Sequence, residues 1–114
     1  MKIMVFDLTT DKLKHTYIIP KDQTVNNTAQ YVNPIVEIGE TCENTYLYVA
    51  DVIQHGLLVY SLLENRSWRI NNTKSNIFGH DAEAVTLNIA GETIELNDGI
   101  LGMSLSPPNF FSKR

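Results

Sequence analysis

The chain has 114 residues, 43% hydrophobic and 19% charged, with a formal net charge of −4; that is apolar enough for one small domain and too apolar for a disordered segment. The acidic balance argues against nucleic acid or an anionic membrane surface as the main partner, since both demand a dense Lys/Arg surface. No apolar run approaches the roughly 18–20 residues of a membrane-spanning helix, and Asp7 cuts the opening apolar run short of the ~7–15 residues of a signal-peptide core.

Met4-Val5-Phe6-Asp7-Leu8 reads as a short strand, Thr9-Thr10-Asp11-Lys12 as a turn, and His15-Thr16-Tyr17-Ile18-Ile19 as a return strand, so the chain opens on a hairpin. Residues 21–34 are polar and lack helical periodicity, which predicts a surface connection. Pro34 then opens a short strand at Ile35-Val36-Glu37-Ile38, and Gly39 to Asn44 is the next turn-rich break. Thr45-Tyr46-Leu47-Tyr48-Val49-Ala50 carries the aromatic and branched residues that suit a pleated, half-buried surface, and Asp51 marks its end.

Gly56 precedes Leu57-Leu58-Val59-Tyr60, and Glu64-Asn65-Arg66 separates that run from Ser67-Trp68-Arg69-Ile70, a second hairpin. The clearest period-2 alternation follows in Val85-Thr86-Leu87-Asn88-Ile89 and Glu92-Thr93-Ile94-Glu95-Leu96, with Ala90-Gly91 as the turn between them. Ile100 to Leu105 begins a further apolar segment that Ser106-Pro107-Pro108 breaks. No segment has the pattern of an amphipathic helix, so the fold class is all-β.

An internal repeat organises these strands. Met4-Val5-Phe6-Asp7-Leu8-Thr9-Thr10-Asp11-Lys12 lies over Leu58-Val59-Tyr60-Ser61-Leu62-Leu63-Glu64-Asn65-Arg66 at an offset of 54 residues, with apolar, aromatic, turn and basic positions in step. A period of that size holding about four short strands is that of a β-propeller, in which each blade is a four-stranded sheet. On this reading residues 1–20 are the outer hairpin of one blade, 34–72 a nearly whole blade, and 85–114 an end hairpin and the start of the next. Such an arrangement leaves blade faces uncovered, so the remaining blades are the first partner the sequence implies.

Several side chains bear on chemistry. His15, His55 and His80 are far apart in sequence, and no His, Cys and carboxylate group has the close spacing of a zinc site, so neither a metal nor another cofactor is expected. Gly102-Met103-Ser104-Leu105-Ser106 approaches a nucleophile elbow but has Ser106 in place of the second Gly and prolines where a helix should start, so no catalytic residue is assigned. Asp51 and Asp98 end or follow strands, where propeller loops can present polar groups to a small ligand; against this stands the common role of Asp in terminating strands. Trp68 and Tyr60 have faces that attract cations, yet at strand spacing they read first as packing between blades.

Asn26, Asn65 and Asn71 open three N-x-[ST] tripeptides that accept glycans in a secretory route. Cys42 is the single cysteine, which fits either a reducing compartment or a bridge whose other half lies outside this sequence.

Four segments in order, Met4 to Thr10, Tyr46-Leu47-Tyr48-Val49-Ala50-Asp51-Val52, Gly56 to Tyr60 with Asn65-Arg66-Ser67-Trp68-Arg69, and Asp98-Gly99-Ile100-Leu101-Gly102-Met103-Ser104-Leu105-Ser106-Pro107, together resemble the major royal jelly protein and Yellow family. The last run is the most specific. The resemblance implies a secreted, glycosylated, six-bladed propeller of which this chain is an internal portion, and a disulfide between Cys42 and an upstream cysteine. It further implies a non-enzymatic protein that binds a small molecule, a biogenic amine or a catechol, in a nutritive or cuticle-associated role. The rival implication is an enzyme of dopachrome conversion in the melanin pathway. Two departures stand out: residues 77–82 lack the expected Asp-Pro, and no further strand follows Pro107.

Overall fold

A computed structural model describes residues 1–71, 78–80, 83 and 85–107. Among these residues the regular structure consists of eight strands and no helix, and every strand pairing is antiparallel.

Strands β1 (Lys2–Asp7) and β2 (Lys12–Ile18) form the opening hairpin. Its turn forms because Asp7 Oδ1 accepts the Thr9 N–H at 2.8 Å and Asp11 takes a left-handed φ of 55°, a conformation Asp tolerates better than most residues. Side chains alternate across the ribbon, so Ile3, Val5, His15 and Tyr17 turn inward while Met4 and Phe6 remain exposed.

Strands β3 (Tyr31–Ile38), β4 (Thr45–Asp51), β5 (Gly56–Ser61) and β6 (Arg66–Ile70) follow one another as a four-stranded sheet in that spatial order. The third of them is flanked on both edges and is the most buried. Cross-strand register sets Leu47 opposite Tyr60 and Val49 opposite Leu58. The opening hairpin packs on that face: Ile19, Val49 and Leu58 form the core, with Ile3, Tyr17, Tyr31 and Leu47 against it. Full burial of a side chain such as Leu58 contributes about 1.5–3 kcal/mol.

Polar contacts tie the same two layers. The Tyr17 and Tyr60 rings lie 4.9 Å apart, Tyr17 Oη and Ser67 Oγ are hydrogen-bonded at 2.8 Å, and the Ser67 N–H donates to Tyr17 Oη at 3.1 Å. Tyr60 therefore packs between the layers, whereas Trp68 is half-buried beneath the Arg66 guanidinium at 5.1 Å.

The internal repeat is structural as well as sequential. The third sheet strand starts 54 residues after the first hairpin strand, the fourth 54 after the second, and the left-handed Asp11 of one turn corresponds to Asn65, φ 49°, in the other. A sequential four-stranded antiparallel sheet beside a repeat of its outer hairpin is the architecture of a partial β-propeller.

Two stretches differ from the sequence expectation. The first sheet strand begins at Tyr31, inside the expected connection, because Asn33 at φ 49° and Pro34 are absorbed in a bulge between Val32 and Ile35 while pairing continues on either side. Strands β7 (Thr86–Ile89) and β8 (Glu92–Glu95) form the expected hairpin, whereas residues 96–107 run without sheet pairing.

Candidate functional site

One end of the four-stranded sheet gathers residues that are distant in sequence. There Asp51 closes β4, Gly56 opens β5, Tyr31 starts β3 and Arg69 lies near the end of β6. Register places Arg69 opposite Leu58 and Asp51 opposite both Tyr31 and Gly56, so all of these share the buried face.

A charge on such a face needs a counter-charge. Arg69 Nη1 lies 2.7 Å from Asp51 Oδ2, with the two side chains 6% and 0% exposed; the contact is ionic, without a well-aligned N–H. Asp51 Oδ1 accepts three backbone N–H groups, from Gln30 at 3.0 Å, Ile53 at 3.1 Å and Gln54 at 3.0 Å. Burial pushes the Asp51 carboxyl up, but the Gln54 and Gln30 amides and the Arg69 guanidinium outweigh it and hold the group below its ordinary value.

Arg69 also donates a hydrogen bond from each of its three nitrogens. Nη1 donates to Tyr31 Oη at 2.7 Å, Nη2 to the Gln54 carbonyl at 3.1 Å and Nε to Asn71 Oδ1 at 2.7 Å. The guanidinium also lies 5.7 Å from the Tyr31 ring centroid. Tyr31 Oη passes the chain on by donating to the Gln23 carbonyl, and Gln23 Nε2 donates to the Ser67 carbonyl at 2.9 Å. Gly56 makes room for the guanidinium, since a Cβ there would sit 2.4 Å from Arg69 Nη2.

Beside this centre the loop after β4 meets the segment after β8. The Gly99 N–H donates to the Val52 carbonyl at 2.7 Å, and a Cβ on Gly99 would collide with the Phe78 carbonyl at 2.6 Å. His55 Nε2 and His80 Nδ1 both reach the Asn97 carbonyl, at 3.1 and 3.2 Å, with their rings edge to face and 5.3 Å apart. Asn33 Nδ2 donates to the Leu101 carbonyl farther along the same segment.

A concavity of about 1120 Å³ opens between the first hairpin and the sheet; Ile3, Phe6, Val36, Ile38 and Leu47 line it, with Cys42 among its residues.

Of the residues singled out in the sequence, Asp51 is wholly buried in the ion pair and Asp98 is exposed beside Gly99. Asn26, Asn65 and Asn71 are exposed, the first two at left-handed positions; Asn65 Oδ1 accepts from Tyr60 Oη and His15, and Asn71 Oδ1 from Arg69. Thr73, which completes the third glycan tripeptide, lies outside the described residues, as does most of 72–82. Cys42 is an exposed free thiol. Among the described residues no group of three or more His, Cys, Asp or Glu side chains could hold a metal ion.

Arg69 and Tyr31 were absent from the sequence candidates, although a signal was present. Ser67 and Arg69 alternate with Trp68 along one strand, so they share a face, and a basic residue on the buried one needs an acid. The meeting of His55, His80 and Asn97 has no comparable signature.

The residues that build this corner, the Tyr46-to-Val52 strand end, the Ser67-Trp68-Arg69 strand and the Asp98-Gly99 segment, are those on which the family resemblance rests. The family model for major royal jelly protein matches residues 1–113. The chain belongs to the major royal jelly protein family. Relatives include a dopaminechrome tautomerase of Drosophila melanogaster, 39% identical over 104 residues, which are 91% of this chain and 22% of that protein. Protein yellow of Drosophila melanogaster is 40% identical over 106 residues, and protein yellow of Drosophila erecta 38% over 106, in each case 92% of this chain and 19% of the relative. The chain thus spans about a fifth of the length of these family members.

Proposed function

We propose that this chain contributes a blade and its loop-bearing end to a secreted propeller that binds a small aromatic amine or catechol without transforming it. The supporting observation is the corner itself. Three segments distant in sequence are fixed there by a buried ion pair, and an exposed carboxylate, Asp98, stands on the segment they hold. An exposed carboxylate on a rigid support suits a cationic amine, and here Asp51 is the positioning residue and Asp98 the contact. Secretion accords with the exposed Asn26 and Asn65, and the exposed Cys42 is available for a bridge to an upstream cysteine. A nutritive or cuticle-associated role is the accompanying physiological reading.

A second reading is favoured by the dopaminechrome tautomerase match. A tautomerisation moves protons without an external oxidant, and a carboxylate is a competent general base for it.

Titration calorimetry of serotonin and dopamine into a propeller-length protein containing this sequence, beside a dopaminechrome decay assay, separates the two. Saturable heat that weakens in Asp98→Asn, with unaltered decay, supports the binder; accelerated decay supports the enzyme. Absence of both sinks both.

A further inference from the structure

We infer that the groove between the first hairpin and the sheet takes one extended strand, antiparallel to β1, supplied by the part of a family-length chain that precedes this one. Consecutive residues of the hairpin, from Ile3 to Thr9, line one side of the groove. Side chains alternate along a strand, so a wall made of every residue in turn is the strand's edge and presents backbone N–H and C=O groups. That edge is open, since β1 is paired with β2 alone among the described residues. The floor has the opposite character. Val36, Ile38, Thr45 and Leu47 come from alternate positions of β3 and β4 and are cross-strand partners, so they form one face of the sheet, mostly apolar. An open edge beside an apolar floor is what an added strand needs: main-chain hydrogen bonds on one side and side-chain burial beneath.

The internal repeat identifies the kind of strand. β1 starts 54 residues before β5, and β5 carries β4 on the equivalent edge, with Tyr48 opposite Val59 and Ala50 opposite Leu57. Transposed by that offset, the residues facing the added strand are Val5 and Ile3, whose side chains turn toward the sheet. The floor is free because the hairpin covers the other half of the sheet. Tyr17 lies against Tyr60 and is bonded to Ser67 of β6, while Val36 and Ile38 of β3 are 51% and 66% exposed. A second copy offers no such strand, since its β4 is already flanked by β3 and β5. Relatives supply the length, for this chain spans about a fifth of them. Strand docking rests on the repeat and the groove, and its failure would leave the amine-binding reading standing.

Cys42 serves as a reporter. It is an exposed free thiol among the groove residues, so a docked strand covers it. The amides on the open side of β1 report independently, because pairing slows their exchange with solvent.

The test adds a strand in trans to the whole chain: a synthetic peptide of residues 44–52 flanked by lysines, the sequence that pairs with β5, labelled and followed by fluorescence anisotropy. The expected result is saturation at one equivalent, slower alkylation of Cys42 and slower exchange of β1 amides. Prolines in place of both Leu47 and Tyr48 in the peptide remove two successive N–H groups, one of which faces β1, so this peptide should not saturate. In the chain, Val36→Lys or Ile38→Lys sets an ammonium against the strand and should weaken binding by at least about tenfold. Leu87→Lys, on the exposed β7, should leave binding unchanged. Far-UV circular dichroism verifies that the sheet persists; should both floor variants lose it, the proline peptide decides. No saturable binding by the parent peptide, equal binding by the proline peptide, or undiminished binding to a folded floor variant overturns the site. So does Cys42 alkylation that the peptide leaves unchanged, the result expected if copies of the chain fill one another's grooves.

Discussion

The Asp51 carboxylate is out of solvent, held by three amide N–H groups and one guanidinium, and among the described residues Asp51 is the acid that Arg69 contacts. Removing one partner of a buried pair leaves the other charged in a low-dielectric setting, a loss of about 3–5 kcal/mol. Arg69→Met should therefore lower the unfolding free energy from urea melts by an amount in that range at matched protein concentration, and an unchanged free energy would remove the pair from any stabilising role. The pH dependence has a definite sign. Because the folded carboxyl lies below its ordinary value of 3.8, its contribution is complete above that value and is lost as pH falls through the lower folded one. Asp51→Asn should abolish that acid-sensitive component while lowering stability at neutral pH, measured by unfolding at a series of pH values.

Tyr48 titrates at the opposite end of the scale. Burial first, and then the Glu37 carboxylate that accepts its O–H at 2.6 Å, push the hydroxyl up to about 12. The unfolded chain ionises this tyrosine near 10, so the folded state's advantage is full below that value and disappears as pH rises toward 12. An ultraviolet tyrosinate titration should show Tyr48 ionising late, with Tyr31 and Tyr60 also pushed up by burial, and Glu37→Gln should bring the Tyr48 step alone partway down.

At the scale of single elements, the hairpin β7–β8 is exposed along all of its residues and touches only its own partner strand in its pairing. A lone two-stranded ribbon is marginal in water, so its amides should exchange much faster than those of β4 and β5. Its two-residue turn also places Ala90 at φ 52°, a left-handed position that costs an L-residue with a Cβ about 1–2 kcal/mol. Ala90→Gly should slow exchange of the Leu96 amide, whose N–H donates to Val85 at 2.8 Å, by roughly fivefold for each kcal/mol recovered. Unchanged protection would show that the turn does not limit the ribbon.

The elements also show what was legible in advance. Period-2 alternation and turn residues located the three hairpins and the end of β4, because local chemistry decides them: Asp11, Asn65 and Gly91 are the residues that left-handed turn positions favour. Tyr31 and Val32 looked like connection because the Asn33-Pro34 bulge interrupts the alternation that marks a strand. Asp51 was visible as a strand end, yet its burial was not. That depends on Arg69 arriving from two strands away, a contact set by register that no local window contains.

At the scale of the whole molecule, the uncovered apolar surface lies where the sheet layers lack neighbours. Met4 and Phe6 of the first hairpin, 42% and 51% exposed, and Ile38 and Leu63, 66% and 62% exposed, all border the groove between hairpin and sheet. In a propeller those are the directions in which adjoining strands and blades pack. Apolar patches of this kind drive association when nothing else covers them. The chain by itself should therefore elute well above its 12.9 kDa and bind a hydrophobic dye, and Phe6→Ser combined with Leu13→Ser should shift it toward the monomer. These two side chains are cross-strand partners and exposed, so the double change removes apolar surface without opening the core. A dye-silent monomer of the parent chain that melts cooperatively would instead mean that these faces need no neighbour, and the propeller-segment account of the exposed surface would fail.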